Sequence, residues 1–276
     1  MFRSIYWYGK GYAWTLIKSL SDIKKINKME EEGKLEERDE YIYQCSRRIA
    51  HTFLKDAGIE VNVEGLENIP DGPVLFVCNH QSNMDIPVIM YSIDRPKGFI
   101  AKKELEKMPI LKDWIILSKA IFIDREHPKK AMAGIIQGIK QLKEGYSMVV
   151  FPEGTRSQCS KMGEFKAGSF KLATKPKVPI VPLTIDGTYK IMEGNHYFIK
   201  PGKVNLYIHP PVYTDKLTKE EITELPEKVE NIVRSKLPNN GRWKNPWVKF
   251  THGFFIYINL KQFLLILHYL HLKLFP

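Results

Sequence analysis

Two short polar segments follow apolar runs and carry residues suited to proton and anion chemistry: NHQSNMD at 79–85 and FPEGTRS at 151–157. In the first, His80 and Asp85 stand five positions apart. One helix would turn residues so spaced to different faces, so the pair meets only where the chain turns. Ser82 and Asn83 suit a turn or a helix N-cap, and Pro87 is tolerated in a first helical turn. An Asp that accepts from one ring nitrogen fixes the tautomer of a His and leaves the other nitrogen as a base. A helix N-terminus nearby would disfavour the imidazolium and keep that base neutral. Alone, the spacing is common and reads more simply as loop hydrogen bonding. Its companions give it meaning.

In FPEGTRS, Gly154 lets a ligand approach the backbone closely. Arg156 supplies a planar fork suited to phosphate, and Thr155 a hydroxyl and a backbone donor. Glu153 would either accept from an acceptor hydroxyl or hold Arg156. Lys102 in FIAKK and Arg125 in IFIDR end two further apolar runs. Each alone is an ordinary surface charge. Together they place phosphate-capable cations at the ends of neighbouring strands. Cys78 lies two residues before His80, so a covalent cysteine intermediate is an alternative, against the simpler reading of a packing residue. The serines lack a nucleophile-elbow pattern, and no metal-binding histidine spacing occurs.

The elements that must position these residues are legible in outline. Residues 2–26 and 35–55 read as helices, the first rich in Tyr, Trp and Lys, the second with Ile42, Cys45, Ile49 and Phe53 on one face. From Ile59 onward, short apolar runs alternate with helical patterns. Strands are expected at EVNVEG, PVLFVCNH, GFIAK, IFIDR, SMVVFPEG, VPIVPLTI and KVNLYIHPPV. Helices are expected at IPVIMYSI, ELEKMPILKDWIIL, PKKAMAGIIQGIKQLKEG, KAGSFKLATK and KEEITELPEKVENIVRSKL. The prolines of VPIVPLTI suggest an edge or a bend. This alternation predicts a single α/β domain with a mixed, largely parallel central sheet flanked by helices. The expected division is an N-terminal two-helix membrane-docking element at 1–57, the α/β domain at 58–240 and an apolar tail at 241–276. The tail, GFFIYINLKQFLLILHYLHLKLF, has polar residues all round its helical wheel. It fits a membrane-associated segment and a core helix equally well.

The chain has 276 residues and a formal net charge of +11, which favours anionic partners. No nucleic-acid reading module is visible, and the aromatics cluster towards the termini. Three cysteines without metal spacing point to a reducing compartment. Tyr6, Trp7, Tyr8, Tyr12 and Trp14, with Lys10, Lys18, Lys24 and Lys25, suit an interfacial helix. Packing on the protein's own core is the other reading.

In this order and at these separations, NHQSNMD, IFIDR, FPEGTRS and VPIVPLTI resemble the motifs of the glycerolipid acyltransferase family, bacterial 1-acyl-glycerol-3-phosphate acyltransferases in particular. The resemblance covers residues 59–237, and the N-terminal helix pair is similar to the membrane-docking element of bacterial members. It implies that His80 is the general base and Asp85 its orienting partner. Lys102, Arg125, Glu153, Gly154, Thr155 and Arg156 would bind the acceptor phosphate. Val178 to Pro182 would shape the site and the position of the acyl donor. The implied reaction acylates the sn-2 hydroxyl of lysophosphatidic acid from acyl-CoA or acyl carrier protein, with no cofactor and no metal. The implied place is the cytoplasmic face of the cell membrane, bound peripherally or monotopically to anionic lipid. Two rival readings are a related acyltransferase using glycerol 3-phosphate or another lysolipid, and a non-catalytic lipid-binding protein on the same scaffold. One departure stands out. Lys119 occupies a position six residues before Arg125 where many members carry Gly. Either the backbone there is less tight or Lys119 adds a cation.

Overall fold

The computed structural model describes residues 2–124 and 128–238. Arg125 and the apolar tail lie outside them. Seven apolar runs bounded by turn residues form strands: β1 (Ile59–Glu64), β2 (Leu75–Cys78), β3 (Lys97–Lys102), β4 (Ile121–Ile123), β5 (Ser147–Val150), β6 (Ile180–Asp186) and β7 (Gly202–Ile208). They make one sheet in the order β1-β7-β6-β2-β5-β3-β4. Every neighbouring pair is parallel except β6 and β7. The expected mixed, largely parallel sheet is therefore present. Five consecutive strands, from β6 across to β4, end on the same edge, where open α/β sheets leave a crevice for ligands.

Buried on both faces, the central strands are predominantly apolar, with Ser147 and Thr184 as buried polar exceptions. Alternation splits their side chains between two cores. Val74, Phe76, Cys78, Val149, Val181 and Leu183 pack on one face with Val88 and Ile89 of the helix Asp85–Ser92. Leu75, Val77, Met148, Val150 and Ile180 pack on the other with Leu142, Leu172 and Val229. Full burial of one such side chain contributes about 1.5–3 kcal/mol.

The N-terminal part is helical as α1 (Phe2–Tyr6), a π-helical stretch Trp7–Trp14, α2 (Thr15–Lys18), α3 (Leu20–Glu31) and α4 (Leu35–Ala57). It breaks at Ser19, so the first predicted helix is two pieces. Gly58 ends α4 at a left-handed φ of 73°, the conformation a glycine supplies without steric penalty. Trp7, Leu54 and Ala57 belong to the core under the sheet, and Trp7 Nε1 donates to the Phe53 carbonyl at 2.9 Å. The remaining helices are α5 (Asp85–Ser92), α6 (Leu111–Leu117), α7 (Pro128–Lys143), α8 (Lys171–Thr174) and α9 (Lys219–Arg234). No helix among the described residues is long and apolar enough to cross a membrane.

One expectation is corrected. The prolines do not put β6 at an edge, since it lies between β7 and β2. Pro182 sits one residue beyond the β6–β7 register, opposite His209. Its carbonyl accepts the His209 N–H at 2.9 Å, and the antiparallel pairing resumes one residue out of step at Ile180 and Val212, so the missing N–H of Pro182 falls at a bulge.

Candidate active site

Strand β2 stops at Cys78, and the chain turns at Asn79. There a side chain replaces a strand rung: Asn79 Nδ2 donates to the Ile185 carbonyl at 2.9 Å, and Ile185 N–H donates to Asn79 Oδ1 at 2.8 Å. His80 follows at the carboxyl edge of the sheet. The turn through Ser82 then brings Asp85, the first residue of α5, back under the imidazole. His80 Nδ1 and Asp85 Oδ2 are 2.6 Å apart. The same oxygen accepts the N–H groups of Gln81 at 2.7 Å and Ser82 at 3.0 Å, and Oδ1 accepts the Thr188 hydroxyl at 2.5 Å. With Nδ1 engaged by Asp85, the tautomer presents Nε2 as the basic nitrogen. The His80 side chain keeps 12% of its surface exposed, while Asp85 is completely buried.

Strand β5 delivers the second segment alongside. Phe151 stacks on the His80 ring, with centroids 4.0 Å apart and planes 17° from parallel, so the imidazole has one apolar wall. Glu153 is buried. Its Oε1 accepts His80 N–H and its Oε2 accepts Gly163 N–H, both at 2.7 Å. Burial raises its carboxyl to about 8 despite those donors. Glu153 was expected to meet an acceptor hydroxyl or to hold Arg156. Its oxygens instead tie the His80 backbone to the loop at Gly163. Ser157 N–H donates to the His80 carbonyl at 2.7 Å, which completes the stitching of the two segments.

Gly154 has a φ of 72° and donates its N–H to Phe151 O at 3.0 Å. A Cβ there would fall 2.7 Å from Lys166 Nζ, so an unassigned cation lies against this turn. Thr155 is half-buried in the same loop. Arg156, 26% exposed, donates from Nη1 to Glu193 Oε1 at 2.7 Å. Lys102 stands at the end of β3, paired with Glu104 at 2.7 Å. Val178 is buried just before β6, and Pro182 lies within that strand.

Cys78 is fully buried in the core, and burial pushes its thiol well up. That environment suits packing rather than nucleophilic attack. Lys119 takes a left-handed φ of 57°, the conformation a glycine would supply. Its ammonium lies 3.8 Å from Asp39 and 5.0 Å from the Tyr146 ring centre. It precedes β4 and therefore sits at the amino edge of the sheet, opposite the His80 edge. The tight backbone is kept, and the extra cation belongs elsewhere. Among the described residues no cluster of His, Cys, Asp and Glu could hold a metal ion.

Sequence reading missed Thr188 and Glu193, which come from the segment after β6, and Gln81, whose Oε1 accepts Gly187 N–H at 3.0 Å. Neither Thr188 nor Glu193 carries a local signature. Position after a strand that ends beside β2 is the one signal that could have pointed to them.

Residues 60–186 match the family model described as Acyltransferase. A chloroplastic 1-acyl-sn-glycerol-3-phosphate acyltransferase of Arabidopsis thaliana is 36% identical over 160 residues, 57% of this chain and 45% of that protein. The chain thus spans a little under half the length of that relative. A protein of Mycoplasma pneumoniae named as a probable 1-acyl-sn-glycerol-3-phosphate acyltransferase is 36% identical over 184 residues, 65% of this chain and 67% of that protein. The crystal structure of a 1-acyl-sn-glycerophosphate acyltransferase from Thermotoga maritima superposes with a TM-score of 0.76 at 32% identity, covering 88% of this chain and 97% of that one.

Proposed function

The chain belongs to the glycerolipid acyltransferase family, and on that premise we propose that it acylates the sn-2 hydroxyl of 1-acyl-glycerol 3-phosphate from a thioester carrier, giving phosphatidic acid. The observation that carries the reading is the 2.6 Å contact between His80 Nδ1 and Asp85 Oδ2, in the same strand-end crevice as Arg156. His80 Nε2 removes the acceptor's hydroxyl proton as that oxygen bonds to the thioester carbonyl carbon. The tetrahedral oxyanion collapses, the C–S bond breaks, and the imidazolium returns its proton to the departing thiolate. General base catalysis of this kind contributes about 10²–10⁴-fold. Asp85 stabilises the imidazolium while the proton is held. Arg156 offers charged donors to the acceptor phosphate, with Lys102 and Arg125 as further cations and Gly154 and Thr155 as the close backbone wall.

The carrier is acyl-CoA or acyl carrier protein. The lipid substrate brings the chain to a membrane, and the proposed docking surface is its N-terminal face on the cytoplasmic side. Phe2, Ile5, Tyr6, Ile17 and Leu20 are exposed there, beside exposed Lys10, Lys18, Lys24 and Lys25. Such a surface binds anionic lipid peripherally.

An acceptor panel tests the reading. Purified protein is given acyl-CoA or acyl carrier protein thioester with lysophosphatidic acid, glycerol 3-phosphate or lysophosphatidylcholine. Lysophosphatidic acid is expected to have the highest kcat/KM by at least about tenfold, a gap of roughly 1.4 kcal/mol in transition-state binding. A higher value for either other acceptor overturns the assigned substrate, and no transfer to any acceptor overturns the enzymatic reading.

A further inference from the structure

Glu193 opens a short 3-10 turn, Glu193–Asn195, beyond β6. Its side chain has no exposed surface. A carboxylate so placed survives only when its oxygens are saturated with donors or cations, and here they are. Oε1 accepts from Arg156 Nη1 at 2.7 Å and from Asn83 N–H at 2.9 Å, and Oε2 accepts the Ser82 hydroxyl. Ser82 Oγ in turn accepts Met84 N–H at 3.1 Å. The partners fall into two groups. Arg156 belongs to the acceptor-phosphate loop. Ser82 and Asn83 form the turn that lets Asp85 reach His80.

We propose that Glu193 is a positioning residue that couples the general base to the phosphate-binding arginine. The inference rests on the acyltransferase reading above. One donor of the Arg156 fork is committed to Glu193, and the side chain also bonds Tyr197, so Glu193 helps set the plane in which the remaining donors meet a phosphate. The other half of the contact pins the turn between His80 and Asp85, which sets the orientation of the base. Loss of the first effect weakens acceptor binding, and loss of the second slows the chemical step. The two therefore separate in kinetics.

The test compares wild type, Glu193→Gln, Arg156→Ala and the double variant with lysophosphatidic acid and acyl-CoA. Glu193→Gln keeps the shape and removes the charge. We expect its KM for the acceptor to rise at least fivefold and its kcat to fall at least fivefold. In the Arg156→Ala background the same substitution should leave KM within twofold, while its effect on kcat persists. A general loss of folding would lower active-site concentration and could not make the KM effect depend on Arg156. Multiplicative KM effects in the double variant overturn the proposal, as do Glu193→Gln constants within twofold of wild type. Ser82→Ala removes the hydroxyl between Glu193 and the Met84 N–H, leaves the Asn83 and Arg156 bonds to Glu193 in place, and serves if Glu193→Gln does not fold. It should lower kcat at least threefold with KM within twofold, and an unchanged kcat overturns the coupling. Wild-type protein that does not acylate lysophosphatidic acid would instead overturn the underlying reading.

Discussion

Asp85 Oδ2 lies 2.6 Å from His80 Nδ1 and at the same time accepts the backbone N–H groups of Gln81 and Ser82. The carboxylate therefore closes its own loop before it orients the imidazole. Thr188 fixes its second oxygen from across the site. Rotation of Asp85 would break several bonds at once, so the base is held in position before any substrate arrives. Such preorganisation is where an enzyme gains most from fixed dipoles.

Asp85→Asn keeps the shape and removes the charge. The backbone donors at Gln81 and Ser82 should keep the amide oxygen towards them, so the tautomer survives while the imidazolium loses its counter-ion. We predict a fall in kcat of at least about 10²-fold, with the acceptor KM and thermal stability little changed. Steady-state kinetics and a melting curve on the same preparation check it. A variant with near-wild-type kcat would show that Asp85 only shapes the loop.

Glu153 gives a prediction in pH. Burial raises its carboxyl from 4.5 to about 8, so the folded protein holds a proton that the unfolded chain releases above pH 4.5. The associated stability is present below 4.5 and is lost as pH rises through about 8. Glu153→Gln removes this titration. Its amide nitrogen also faces one of the two N–H donors from His80 and Gly163, which costs stability at low pH. The Tm gap between wild type and variant should therefore shrink from pH 5 to 8 and level off above. A gap independent of pH contradicts the assigned carboxyl.

Lys119→Gly should leave the acceptor KM within about twofold, because the ammonium meets Asp39 and Tyr146 at the far edge of the sheet. Stability should move by no more than about 1 kcal/mol. Relief of a left-handed side chain, worth about 1–2 kcal/mol, offsets the surface pairing and the lost backbone restriction. A several-fold rise in KM would return Lys119 to the acceptor site.

Lys18→Glu with Lys24→Glu tests the docking face. Each near-surface cation contributes on the order of 1 kcal/mol to binding anionic lipid, so the pair should weaken binding to phosphatidylglycerol vesicles by at least about tenfold in a flotation assay. Point changes are preferable to truncation, since Trp7 lies in the main core. Undiminished binding would place the docking face elsewhere.

Much of the fold was legible because its signals are local. Apolar runs ending in polar segments located β2 and β5, and helical spacing placed Cys45 in a core. The five-residue gap between His80 and Asp85 required a turn, and one is there. The rest depended on distant partners. Pro182 suggested an edge or a bend, and it lies inside the sheet where the pairing beside β7 slips by one residue. Glu153 looked like a substrate ligand because its partners, the His80 and Gly163 backbone N–H groups, leave no trace in a side-chain pattern. Thr188 and Glu193 lie more than a hundred residues from Asp85 and Asn83, and only the adjacency of β6 and β2 brings them in. Arg125 remains an expectation from its place after β4, outside the described residues.

The central claim is that His80 is the base. Single-turnover acylation of lysophosphatidic acid by His80→Ala, with the fold checked by circular dichroism, measures it most directly. The expected result is a rate at least about 10³-fold below wild type, with acceptor binding retained through Arg156. A folded His80→Ala protein that acylates within tenfold of wild type would contradict the account.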